Sequence, residues 1–354
     1  MRHMKRLTAL ALALCMTLAL AACGGDTGGQ PASSNSGANS NTAAPGNSGG
    51  TVEGGLTEAE RAKEFITVAT GPTSGIYFPI GGAFATALKN WGYTTSAQST
   101  AASGENIQLI EEGGAEIAIA MQDSVMQAYE GFGAYEGQEP ATELRALMRL
   151  WPNYVQLVTT ANTGIKSVED LKGKRVGVGA ANSGVELNAR MIFEAYGMSY
   201  DDCTVDYLAY GEAIDNMKNG QCDAVFVTSG LPNATVTELA TSYDMVIVPI
   251  EGAGPDALIA KYPFYAPTTI PADTYNNKEA VESVFVYNIM LVRSDLSDAM
   301  VYDMLTGIFE NISTIQASHN AADKNIYLDV GVSDIQLPLH PGAEKWWADH
   351  GFTK

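Results

Sequence analysis

From residue 64 onward, short β-branched apolar runs alternate with stretches whose apolar residues recur at helical spacing. Residues 64–69 read as a buried strand. Ile80, Phe84, Ala87 and Leu88, at i, i+4, i+7 and i+8, mark the apolar stripe of the helix that follows. The grammar repeats: strand 93–100, a helix with Ser103 as its expected N-cap, strand 116–121, then a helix opened by Gln122-Asp123-Ser124. Two apolar strands, 144–150 and 155–160, are expected on either side of Trp151-Pro152-Asn153. The pattern restarts with strand 176–179 and a helix opened by Ala181-Asn182-Ser183-Gly184. Strand 204–208, helix 212–219, strand 224–227, a helix after Thr228-Ser229-Gly230 and strand 245–249 follow. Residues 262–271 carry Pro263, Pro267 and Pro271, which forbid regular helix and favour an extended segment. A long strand, 284–292, a helix over 298–313 and a last helix carrying Trp346 and Trp347 complete the chain.

Alternating strands and helices imply an α/β fold with parallel strands and right-handed crossovers. The restart after Ala161, with the late apolar strand, predicts two lobes: 61–158, rejoined by 286–354, and 159–285. Hinge strands at 155–160 and 284–292 would join them, with a ligand cleft between.

The stretch between the first strand and its helix, residues 70–82, reads Thr-Gly-Pro-Thr-Ser-Gly-Ile-Tyr-Phe-Pro-Ile-Gly-Gly. Unpaired N–H groups at a helix start, with the dipole behind them, make a site for an anion such as a carboxylate. Ser74 can donate to a ligand, Gly75 allows close backbone approach, and Tyr77 can wall the site. The same residues also suit a plain βα turn. Ser103 and Asn106, Ser183 and Gly184, and Ser229 and Gly230 occupy equivalent loops, and each is a candidate ligand contact beside a simple capping role. Gln122 is a candidate because a polar side chain at the end of a buried strand must bond something. Tyr265 is a candidate wall residue, and Phe264 a core one. Arg145, Arg149 and Arg175 read as structural ion-pair residues rather than ligand clamps.

Charge and the N-terminus narrow the function. The chain carries 20 Lys and Arg against 40 Asp and Glu, a net charge of −20. That excess of acid argues against nucleic acid as a partner. Arg2, Lys5 and Arg6 precede the apolar run 7–20, whose length suits a signal peptide and falls short of a membrane span. Leu20-Ala21-Ala22-Cys23-Gly24 resembles a bacterial lipobox, which implies cleavage after residue 22 and lipidation of Cys23. Residues 23–60 would then form a lipidated linker, rich in Gly, Ser, Asn and Thr, too polar to bury a core. About thirty such residues span roughly 30 Å r.m.s..

Of the four cysteines, only Cys203 and Cys222 belong to the folded part, and free thiols are the favoured reading for both. No CxxC, HExxH or His-rich cluster occurs, so neither a metal nor another cofactor is expected. Catalysis has weak support. No glycine-hydroxyl loop holds a cysteine, and His319, His340 and His350 all lie near the C-terminus.

Several motifs, in order, resemble the solute-binding proteins of TRAP transporters, TAXI type. They are the 70–82 stretch, Ser103-Gly104-Glu105-Asn106, residues 171–179 (Leu-Lys-Gly-Lys-Arg-Val-Gly-Val-Gly), Ser183-Gly184, Tyr262-Pro263-Phe264-Tyr265 and residues 338–344. The resemblance implies a type II periplasmic-binding-protein fold that closes on its ligand. It implies a monomer, held outside the cytoplasmic membrane, that delivers a small carboxylate or amino acid to an ion-driven permease. Glutamate, glutamine and 2-oxoglutarate are typical ligands. Relatives often carry Thr-Arg after Ser183-Gly184, whereas this chain has Val185-Glu186. An acid facing the cleft would repel a second carboxylate or welcome an amine. A tethered sensor for a membrane receptor would share all these features.

Overall fold

The structure is a computed structural model that describes residues 55–354. The expected signal peptide, the lipobox with Cys23 and most of the linker lie outside the described residues. Helix α1 (Glu58–Arg61) starts inside the stretch assigned to the linker, closed by a Thr57–Glu60 capping box. Leu56 N and Arg61 Nη1 both bond Asp303 Oδ1, at 3.2 and 2.8 Å, so the described fold begins before residue 61.

Strand β1 (Phe65–Ala69), α2 (Tyr77–Trp91), β2 (Thr94–Gln98), α3 (Ser103–Glu111), β3 (Ile117–Met121) and α4 (Gln122–Glu130) come first. Then come β4 (Arg145–Thr160), β5 (Arg175–Gly177), α5 (Gly184–Ala195), β6 (Thr204–Asp206), α6 (Tyr210–Lys218) and β7 (Ala224–Ser229). Next are α7 (Ala234–Ser242), β8 (Met245–Val248), α8 (Ala253–Lys261), β9 (Tyr265–Ile270) and β10 (Val281–Val292). Helices α9 (Asp298–Glu310), α10 (Ile312–Gln316), α11 (Asn320–Asn325) and α12 (Pro341–Asp349) end the chain. The fold is α/β, as expected.

The strands form one sheet in the order β2-β1-β3-β10-β4-β7-β5-β6, with β8 also on β4 and β9 also on β10. The βαβ units give parallel pairs, β1 with β2 and β3, and β5 with β6 and β7. The two long strands run antiparallel to their neighbours and change partners midway. Strand β10 pairs with β9 through 281–286 and with β3 through 288–292. Strand β4 pairs with β10 up to Tyr154, and with β7 from Tyr154 to Thr159.

Strand β4 corrects the expectation of two strands split at Trp151-Pro152-Asn153. The register with β10 shifts between Tyr287 and Ile289, beside the Pro152 pairing, so the irregularity that a proline demands is absorbed in a bulge and the strand continues. The expected helix 298–313 is also two, because the chain breaks at Asn311 between α9 and α10. Helix α8 was not expected. It buries only Gly254 and Leu258, too few residues for an apolar stripe.

Trp346 and Trp347 are fully buried in the main core, where Trp346 stacks on Phe309 with 4.9 Å between ring centres. Among the described residues, no helix is long and apolar enough to cross a membrane.

Candidate functional site

The C-terminal ends of the parallel strands lead into loops that begin helices, and four of those beginnings meet at one cavity. Pro72, Gly75, Ile76 and Tyr77 line it from the start of α2, and Ala101 and Ala102 from the start of α3. Gly179, Ala180, Ser183 and Val185 line it from the start of α5, and Leu208, Ala209 and Tyr210 from the start of α6. Met121 at the end of β3, and Thr228 and Ser229 at the end of β7, complete the wall. The space is about 510 Å³ with its open mouth counted, and about 40 Å³ of it admits the centre of a water-sized sphere, so it suits a small ligand. Helices α2, α3, α5 and α6 run 15, 9, 12 and 9 residues, so each brings a turn of unpaired N–H groups and a partial positive charge.

Three hydroxyls on the wall can still donate. Ser183 Oγ accepts from Glu186 N at 3.3 Å as the N-cap of α5, which leaves its O–H free. Ser229 Oγ accepts from Asn233 Nδ2 at 3.2 Å, with the same consequence. Thr228 Oγ1 is buried and has no partner. The two phenols contribute their rings, because their tips are engaged in the protein. Tyr77 OH donates to Asn288 Oδ1, and Tyr210 OH to the Thr228 carbonyl at 2.7 Å. Burial pushes both phenols above the ordinary tyrosine range.

Of the expected contacts, Gly75, Tyr77, Ser183 and Ser229 line the cavity, while Ser74, Ser103, Asn106, Gln122, Gly184, Gly230 and Tyr265 do not. Asn106 is fully buried and its amide is used up: Nδ2 donates to the carbonyls of Thr70 and Ile119, and Oδ1 accepts from Thr100. Gln122 joins the C-terminal segment, donating to the Asp334 carbonyl and accepting from Gln336 N. Ser103 is the first residue of α3, and Ala102, at φ 72°, holds the N-cap position. The expectation of a Ser103 cap fails because its hydroxyl turns to the sheet and accepts from Met121 N at 3.1 Å.

Gly184 and Gly230 mark close approach. A Cβ at Gly184 would lie 2.1 Å from Met121 Cε and 2.8 Å from Ser103 Oγ, and one at Gly230 would lie 2.6 Å from Ile76 Cδ1. Sequence reasoning passed over Thr228, Tyr210 and Leu208. Tyr210-Gly211 after β6 has the same strand-loop-helix setting as the stretches it did single out.

Beside the cavity, α4, α5 and β9 share a buried polar cluster. Asn188 Nδ2 donates to Asp123 Oδ2 and lies 2.7 Å from Tyr265 Oη, and Tyr265 OH donates to the same Oδ2 at 3.2 Å. Asp123 Oδ1, Ser124 Oγ and Asn188 Oδ1 are buried without partners. Burial pushes the Asp123 carboxyl up to about 7.

Glu186 does not line the cavity. It pairs with Arg190, one turn along α5. The arginines are engaged elsewhere. Arg149 holds Asp334 at 2.8 Å, Arg175 holds Asp223 at 2.6 Å, and Arg145 donates to the carbonyls of Thr142 and Leu144. Cys203 and Cys222 are both free, and burial pushes the thiols up, Cys203 to about 11. Among the described residues, no group of three or more His, Cys, Asp or Glu is placed to hold a metal ion.

Residues 68–351 match the profile of the NMT1-like family. Among solved structures, the chain is similar to the periplasmic aliphatic sulphonate binding protein SsuA from Escherichia coli. The identity is 12%, coverage is 72% of each chain, and the TM-score is 0.43. It is also similar to a putative L-cystine ABC transporter from Listeria monocytogenes, at 15% identity over 75% of this chain and 98% of that one, with a TM-score of 0.46. A binding protein component of an ABC phosphonate transporter from Pseudomonas aeruginosa matches at 13% identity over 72% and 78% of the two chains, with a TM-score of 0.45.

Proposed function

The chain belongs to the NMT1-like family, and from that premise we propose that it is an extracytoplasmic solute-binding lipoprotein that captures a small carboxylate. One observation carries the reading: four helix N-termini and three donor-competent hydroxyls meet at one cavity whose described wall bears no formal charge. A carboxylate there is neutralised by oriented N–H and O–H groups rather than by a cation. The remoteness of Arg145, Arg149 and Arg175 supports the same reading. The two cysteines, with thiols raised by burial and outside the cavity wall, support binding over nucleophilic catalysis.

In this reading Cys23 carries the lipid anchor and the partner is a TRAP-type permease, on the strength of the lipobox and of the ordered TAXI-like motifs. The glutamate, glutamine and 2-oxoglutarate class is the starting set of ligands. Lobes divided near residues 158 and 286 close through β4 and β10, the two strands that pair on both sides of the sheet.

Calorimetry with the ligand that travels with the protein in native mass spectrometry tests the site. A hydrogen bond to a charged group contributes roughly 1.5–3 kcal/mol, so Ser183→Ala weakens binding by about one to two orders of magnitude, while Arg149→Ala leaves it unchanged. An arginine variant that abolishes binding, beside a neutral Ser183→Ala, refutes the reading.

A further inference from the structure

We propose that the ligand of this cavity is a short-chain monocarboxylate whose body is uncharged and apolar, with Thr228 Oγ1 as one of the donors to its carboxylate. The inference rests on the carboxylate reading above and narrows it, setting aside the amino acids and dicarboxylates of the starting set.

The polar and apolar parts of the wall are chemically distinct. The donor-competent side chains are Ser183, Ser229 and Thr228, and the last is a buried hydroxyl with no partner in the protein. A buried hydroxyl left without a partner costs free energy, so an acceptor on the ligand is the natural complement of Thr228. The larger side chains of the remaining wall are Pro72, Ile76, Met121, Val185 and Leu208, joined by the ring faces of Tyr77 and Tyr210. The phenol tips of those tyrosines are held by Asn288 and by the Thr228 carbonyl, so they present carbon to the cavity.

A second charge on the ligand would therefore meet apolar surface. An ammonium needs an acid, and among the described residues none lines the cavity. Of the acids in the first turns of its four helices, Glu105 accepts from Ala101 N, Glu186 pairs with Arg190, and Glu212 is exposed to solvent. Asp123 is tied to Asn188 and Tyr265. A second carboxylate needs a cation, and among the described residues no Lys or Arg lines the cavity. Burying an unpaired charge is far more costly than burying a methylene, whose transfer from water is favourable.

The test is calorimetry on the full chain in mild detergent, with acetate, propionate, butyrate and isovalerate, and with valine, glutamate and 2-oxoglutarate as charged counterparts. The dissociation constant should fall about fourfold per added methylene. Valine, the skeleton of isovalerate with an ammonium added, should bind about a hundredfold more weakly or worse. Thr228→Val, which keeps the shape, should weaken every monocarboxylate by a similar factor and leave the step per methylene unchanged. Ser183→Ala should do the same, which keeps the test open if the Thr228 variant fails to fold.

If glutamate, valine or 2-oxoglutarate binds more tightly than isovalerate, and Ser183→Ala weakens it, the ligand class proposed here falls while the carboxylate site stands. A series with no chain-length dependence also overturns the class, and a neutral Thr228→Val overturns Thr228 as a donor. If none of these carboxylates binds, or binding ignores Ser183, the carboxylate reading falls with it.

Discussion

Replacing Asp123 by Asn should flatten the pH dependence of stability and raise the melting temperature on the alkaline side. Asp123 is fully buried on α4, with Asn188 and Tyr265 on Oδ2 and nothing on Oδ1, and no cation pairs with it among the described residues. Its titratable neighbours are Tyr77, Tyr135 and Tyr265, all raised phenols that stay neutral across the range considered. Burial therefore dominates and pushes the carboxyl up to about 7, against about 3.9 in an unfolded chain.

Below about pH 4 both states hold the proton and stability is complete. Between about 4 and 7 the folded protein keeps a proton that the unfolded chain has lost, so stability falls as pH rises. Above about 7 the loss is complete. The gap of about three pH units, at about 1.4 kcal/mol each, amounts to about 4 kcal/mol. An unfolding entropy of roughly 2.1 cal/mol/K per residue, over roughly 300 residues, converts this to about 6 °C. Asn has nearly the shape of protonated Asp and no charge to bury.

Scanning calorimetry at pH 5 and pH 8 measures the effect. Other carboxylates tilt both proteins alike, so the difference between the two proteins isolates this position. About two of the three pH units fall between these two values, so the wild-type melting temperature should drop about 4 °C further than that of Asp123→Asn. Parallel profiles would refute the argument that an unpaired buried carboxyl controls this part of the pH dependence.

Asp303→Ala should destabilise the fold by about 3–5 kcal/mol in denaturant titration, because the buried carboxylate holds Arg61, Trp91, Tyr93 and the Leu56 amide and its loss leaves a partly buried arginine unpaired. The same variant should expose the chain around residues 56–61 to limited proteolysis, and unchanged cleavage there would argue against Asp303 as the anchor of this segment. Closure through β4 and β10 should appear in small-angle scattering as a smaller radius of gyration at saturating ligand, and an unchanged radius would count against hinged lobes. Cys23→Ala should move the protein from the membrane to the soluble fraction, and continued membrane retention would remove the case for a lipid anchor.

The sequence discloses strands best where apolar runs are bounded by turns, as in β3 and β7, because burial on both faces leaves a continuous apolar stretch. It misleads where long-range pairing overrides a local rule. Pro152 reads as a break, yet β10 and β7 hold β4 on both sides of it and the bulge absorbs the missing donor. Helix α8 was missed for the opposite reason, since a helix that buries two residues leaves little periodicity to read. Ser103 has the composition of a cap, and its hydroxyl is taken by the Met121 amide, 18 residues away.

The same competition for hydrogen bonds decides which loop residues face the cavity. Each loop offers several polar side chains of equal promise, and sequence distance says nothing about which are already satisfied. Asn106 and Gln122 have both ends of their amides bonded within the protein, the latter to residues more than 200 positions away, so they hold elements together. Ser183 and Ser229 are used only as acceptors, which fixes their rotamers and leaves a hydrogen to give. Thr228 stands beside Ser229 in the sequence and is the more exposing case, because its carbonyl is held by Tyr210 while its hydroxyl is left over. A serine in a glycine-rich loop is thus a candidate by composition, and it becomes a ligand contact only when the fold engages its oxygen and leaves its hydrogen free. That distinction depends on residues distant in sequence, which is why the loops were legible and their individual roles were not.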